Sequence, residues 1–157
     1  MKKLILILAL SLLTFTGCNQ KVNTKDIYIS EYNNLMKAVY DLNLYKDVKE
    51  VTKEYPEILD DIYYKNYENI YYITDTKTSS EDLEIKSESV DNINSLVNKY
   101  FVRIIIDSDE NIIIFQTISE IGYGEYLVYS KNKVQQSDKT LTLTSWLDDN
   151  WYIATSN

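Results

Sequence analysis

The chain has 157 residues, 16 basic and 24 acidic, with one cysteine and no histidine. An acidic balance of this size repels polyanions and excludes nucleic acid as a partner. The missing histidine removes the commonest acid/base group near neutral pH, and with it Ser-His-Asp and Cys-His mechanisms and zinc-type Cys/His sites.

Taken in chain order, Lys2 and Lys3 form a positive start, and Leu4 to Leu13 is apolar apart from Ser11. The run is too short for a permanent span, which needs about 20 residues, and has the layout of a secretory signal. The leader contributes only those two lysines, so residues 18–157 carry 14 basic against 24 acidic residues, a formal −10. Residues 18–29 read as a polar tether and 30–157 as one folded domain. With the only cysteine at position 18, that domain has no internal disulfide and must be held by packing.

Ser30 reads as an N-cap, with Tyr32, Leu35, Met36, Val39 and Tyr40 on one helical face. Leu44, Val48, Val51 and Tyr55 continue the helical spacing up to Pro56, which closes that helix and opens another with Ile58, Leu59, Ile62 and Tyr63 inward. Residues 30–66 are thus expected to form two or three helices. Asn69 to Thr74 has strand composition, 75–82 is a polar loop, and Leu83 and Ile85 alternate as a short strand. Ser89 caps a mid-chain helix carrying Val90, Ile93, Leu96, Val97 and Tyr100.

Strands follow at Phe101–Ile106, Ile112–Ile118, Tyr126–Ser130, Leu141–Trp146 and Trp151–Ala154. The expected class is α+β, with the N-terminal helices and one mid-chain helix packed on a mainly antiparallel sheet formed by the C-terminal half.

Candidate sites are few. Asp107-x-Asp109-x-Asn111 begins like a calcium loop, but Ile112 replaces the turn glycine and Ile118 the bidentate Glu, so it reads as a polar hairpin tip. Glu120 and Glu125 flank Gly122-Tyr123-Gly124 and are the one carboxylate pair considered for glycosidase-type chemistry. No catalytic residue, metal ligand or cofactor is assigned.

Fifteen tyrosines reflect AT-rich codon usage for the most part. Alternation nonetheless divides Tyr63-Tyr64, Tyr67 and Tyr71-Tyr72 between core and surface. Tyr123, Tyr126 and Trp151 are the candidate binding surface. Arg103, alone in a strand, reads as outward and solvated, since an inward Arg would need a carboxylate.

The segment Phe15-Thr16-Gly17-Cys18 resembles the lipobox of bacterial lipoproteins, with Phe15 where that family usually has Leu. The resemblance implies cleavage between Gly17 and Cys18, a diacylglyceryl group on the Cys18 sulfur, and a lipid-anchored protein on the extracytoplasmic face of the cell membrane. Ile121–Gly124, Leu127–Ser130 and Trp151-Tyr152 look like parts of other small exported bacterial proteins, a likeness that carries no active site. The expected function is a non-enzymatic protein- or wall-binding module. The alternatives are a carboxylate-based hydrolase of cell-wall glycan and an accessory subunit of a membrane complex.

Overall fold

A computed structural model describes residues 23–56, 62–74, 83–117, 124–132 and 141–156. The fold is α+β. Helix α1 spans Thr24–Leu44 and α2 spans Ser87–Lys99. The strands are β1 (Val48–Thr52), β2 (Tyr63–Tyr67), β3 (Ile70–Thr74), β4 (Phe101–Asp107), β5 (Ile112–Thr117), β6 (Glu125–Ser130), β7 (Leu141–Trp146) and β8 (Trp151–Ser156). They make one sheet in the order β2-β3-β1-β4-β5-β6-β8-β7, with antiparallel neighbours throughout.

Helix α1 begins six residues before the expected Ser30. The side chain of Asn23 accepts a hydrogen bond from the Lys25 N–H at 2.9 Å and caps the first turn, where Asp26 suits the positive helix end. Ile27 enters the core, so 24–29 are folded rather than tether. The buried stripe is Ile27, Leu35, Ala38, Val39 and Leu42, whereas Tyr32 and Tyr40 flank it and are exposed.

The second expected helix is strand β1 instead. Val48 and Val51 are both buried on the helix side, three residues apart, because a register shift between Val48 and Glu50 inserts an extra residue. A bulged strand therefore presents the same spacing as a helical turn. Tyr63 starts β2 rather than lying on a third helix, and Ile58 and Leu59 fall outside the described residues. Leu83 and Ile85 are buried without strand pairing. The Tyr67 hydroxyl donates to the Leu83 carbonyl and accepts from the Ile85 N–H, while Tyr45 accepts from the Lys86 N–H. Helix α2 starts at Ser87, two residues before the expected cap, with Glu88 in its first turn and Lys99 in its last.

Both helices cover one face of the sheet. The main core joins the α1 stripe and α2 (Val90, Ile93, Leu96, Val97) to inward strand residues such as Val51, Tyr72, Ile104, Phe115 and Trp151. Asn94 of α2 is buried in this layer. It accepts from the Tyr72 hydroxyl at 2.9 Å and donates to the Tyr67 carbonyl at 3.1 Å.

Glu31 ties the two helices together. It accepts from Tyr100 at 2.6 Å and Lys99 at 3.3 Å through one oxygen, and from Asn34 at 2.6 Å through the other. The Tyr100 and Asn34 bonds hold its carboxyl below its ordinary 4.5, against the opposing effect of burial. A lowered folded value means stability that is present above the unfolded value and lost as pH falls through the folded one. Glu31→Gln is therefore expected to flatten the drop in urea midpoint between neutrality and about pH 3. An unchanged drop would dismiss Glu31 as an acid-sensitive tie.

The β2–β3 hairpin turns on two residues, Glu68 and Asn69, both at positive φ (55° and 66°). That is the backbone of a type I′ turn, which favours Asn-Gly. Changing Glu68-Asn69 to Asn-Gly is expected to raise stability by about 1 kcal/mol in urea titration. A fall would show that the Glu68 side chain contributes more than its backbone strain costs.

Candidate sheet-face binding site

Trp151 does not belong to any surface. It is 1% exposed, on the helix side, among Tyr28, Phe115 and Tyr129 at ring distances of 5.9, 5.7 and 5.2 Å. Tyr126 points to the opposite face, so these two members of the expected binding surface are separated by the sheet. Tyr123, Glu120, Gly17 and Cys18 lie outside the described residues. Glu125 faces α1, where its carboxylate accepts a hydrogen bond from the Thr24 hydroxyl and fastens the start of the helix to β6.

The helix-free face has an order of its own. Strand register aligns Tyr71, Thr52, Arg103, Gln116 and Tyr126 in one row from β3 to β6. A second row alongside it runs Ile73, Glu50, Ile105, Ile114, Val128 and Tyr152. Tyr64 extends the second row onto edge strand β2, and Trp146 extends it onto edge strand β7. Aromatic side chains thus occupy both ends; between them the first row is polar (Thr52, Arg103, Gln116) and the second is aliphatic apart from Glu50. Among the described residues no helix lies over these rows.

One end is a tyrosine triad. Tyr55, Tyr64 and Tyr71 meet edge to face at 5.3–5.8 Å, and the Tyr55 and Tyr64 hydroxyls share a hydrogen bond of 3.0 Å. Edge-to-face packing matches the ring quadrupoles and fixes the rings in place. Tyr55 remains 57% exposed. At the other end Ile112, Val128, Tyr152 and Ala154 form a second apolar cluster, joined by half-buried Ile114 and Tyr126. Trp146, 41% exposed, packs on Tyr152 at 5.1 Å. The Tyr126 ring lies over Gly124, where an added Cβ would meet it at 3.0–3.2 Å.

The polar centre is compact. Arg103 donates through Nε to Gln116 Oε1 at 2.7 Å, and its Nη1 stands 3.8 Å from Glu50. Arg103 is on the outer face, as expected, but it is partnered rather than simply solvated. Burial pushes the Glu50 carboxyl up, Arg103 opposes that, and Glu54 adds to it. The guanidinium has five N–H donors, and these two contacts engage only Nε and Nη1.

The hairpin tip at Asp107–Asn111 is a local turn. Asp107 Oδ1 accepts from the Asp109 and Glu110 N–H groups at 3.1 and 3.0 Å, and Asn111 has φ 57°. Among the described residues no three His, Cys, Asp or Glu side chains gather as metal ligands, and no helix is long and apolar enough to cross a membrane.

The division of the tyrosines was legible: Tyr72 and Tyr67 face the helices, and Tyr71 and Tyr64 face away. The pairing of Arg103 with Gln116 was not, because it depends on strand register. Comparison with known proteins finds no match among family models, curated proteins or solved structures.

Proposed function

We propose that this chain is a lipid-anchored extracytoplasmic binding module, held at the cell membrane through a diacylglyceryl group on Cys18 and engaging a protein or wall component without catalysis. The observation that carries the binding role is the helix-free face, with Tyr71 and Tyr126 in one row and the Arg103–Gln116 pair between them. Amphipathic aromatic rings around a few placed polar groups are the usual composition of a recognition surface. The leader and the Gly17-Cys18 junction support the location, and two acyl chains suffice for stable anchoring. Glu125, the one described member of the carboxylate pair, is engaged with Thr24, which gives the hydrolase alternative no support.

Replacing Cys18 with alanine in the full chain is expected to release the protein from the membrane or to leave an unprocessed precursor, read by mass spectrometry of fractionated cells. Unchanged mature mass with full membrane retention would overturn the anchor. Crosslinking on living cells through the helix-free face is expected to give anchor-dependent adducts with protein or wall material. Their absence would overturn the binding role.

A further inference from the structure

We infer that the outer side of helix α1 is a second membrane contact, seated in the headgroup region of the bilayer that holds the Cys18 anchor. This rests on the anchor in the reading above and goes beyond it, because an acyl anchor alone leaves the domain free to turn.

Helix α1 carries two apolar stripes. Ile27, Leu35, Ala38, Val39 and Leu42 are buried in the main core. Ile29, Met36, Tyr40 and Leu44 form the other, spaced by seven, four and four residues. At about 100° per residue that spacing keeps them on one side of the helix, turned from the sheet. Ile29, Tyr40 and Leu44 are 64%, 66% and 55% exposed, and Met36 is half-buried. From Ile29 to Leu44 the stripe runs about 22 Å along the axis.

The acidic groups of α1 do not oppose a lipid contact there. Glu31 is bound by Tyr100 and Lys99 beside α2, and Asp41 is buried against Lys37 at 2.9 Å. Asp26 has Lys25 next to it in the first turn. A helix with an apolar stripe and a polar remainder can lie in the plane of a bilayer interface, with its tyrosine at headgroup level.

Position selects the occupant. Cys18 lies five chain steps before the Asn23 cap, at most about 18 Å, so α1 is the described element that follows the lipid most closely along the chain. A tether this short holds the stripe over the bilayer at high effective concentration, where a weak apolar contact suffices. A free protein must instead build an interface of about 20–30 residues a side. A second copy must do so against a body with 14 basic and 24 acidic residues. Seated this way, α1 turns the helix-free face of the sheet away from the bilayer.

The test uses the mature acylated protein, processed in cells and reconstituted into phosphatidylcholine vesicles, whose headgroups carry no net charge to repel the acidic body. With Cys18 acylated, an introduced cysteine is the only free thiol. Ile29→Cys, Tyr40→Cys and, on the helix-free face, Trp146→Cys each receive an environment-sensitive fluorophore. The labels at 29 and 40 are expected to shift to the blue, lose quenching by aqueous iodide and gain quenching by nitroxide-labelled lipid. The label at 146 is expected to keep its iodide quenching and gain none from lipid. Leu44→Glu added to the Tyr40→Cys protein is expected to restore iodide quenching. Thermal melts of each variant show that the fold is kept.

Equal iodide quenching at all three positions, in protein whose mass includes the acyl group, would overturn the seating and leave the anchor standing. Protection of 29 and 40 from both quenchers would mean that protein covers the stripe, and would overturn it too. A mature mass without the acyl group would overturn the anchor, and the seating with it.

Discussion

Trp151→Ala is expected to cost about 3–5 kcal/mol, the range for emptying a fully buried tryptophan site. The ring fills the space between α1 and the β5–β6–β8 part of the sheet, touching Tyr28, Phe115 and Tyr129. Phe115 in turn packs on Phe101 at 5.2 Å, so the hole would open in the middle of a continuous aromatic layer. The backbone N–H of Trp151 also donates to Asp148, which accepts from the Tyr28 hydroxyl at 2.6 Å, coupling the turn before β8 to α1. The indole Nε1 has no acceptor among the described residues. Trp151→Phe is therefore expected to cost much less than Trp151→Ala, because it keeps most of the ring and removes an unpaired donor. Urea unfolding of the two variants checks the order, and equal losses would contradict it.

Asn94→Ala is expected to cost about 2–4 kcal/mol. It strands the Tyr72 hydroxyl and the Tyr67 carbonyl in the core, each at about 1–3 kcal/mol. Tyr72 is fully buried on the middle strand of the β2-β3-β1 group, so water cannot replace the lost acceptor. Burial already drives its hydroxyl far above the ordinary tyrosine range. Removing both partners is cheaper than removing one: Tyr72→Phe in the Asn94→Ala background should recover part of the loss. A double-mutant cycle in urea measures it, and strict additivity would mean that the bond does not couple α2 to β3.

How much of this fold a reader can extract from the sequence depends on whether the pattern is local. The β4–β5 hairpin was legible because Ile104–Ile106 and Ile112–Ile114 flank a polar turn of Asp and Asn residues. Helix α2 was legible from the i, i+3, i+4 spacing of Val90, Ile93, Leu96 and Val97. Strand β1 was not, because its bulge gives Val48 and Val51 a helical interval, and periodicity alone cannot separate the two. The true cap of α1 was hidden because Ser30 and Glu31 imitate a helix start inside the helix that Asn23 begins.

The candidate site was the least legible part. Its rows are made by residues that only strand pairing brings together, such as Thr52 beside Arg103 and Gln116 beside Tyr126. Strand order compounds this, since β1 is inserted between β3 and β4. Trp151 was misplaced for a related reason: a tryptophan beside a surface turn reads as exposed until α1 is seen to lie over it.

The early start of α1 also sets the protein's working radius. With Cys18 acylated as proposed, four residues lie between it and the Asn23 cap, five steps along the chain and a leash of about 18 Å at most. The Thr24–Glu125 bond fastens the start of α1 to the body at β6, so under the proposed acylation this corner of the domain stays within the leash length of the lipid. On the proposed reading, a partner is met close to the lipid headgroups, and the partner's own reach, more than the protein's, decides which encounters occur.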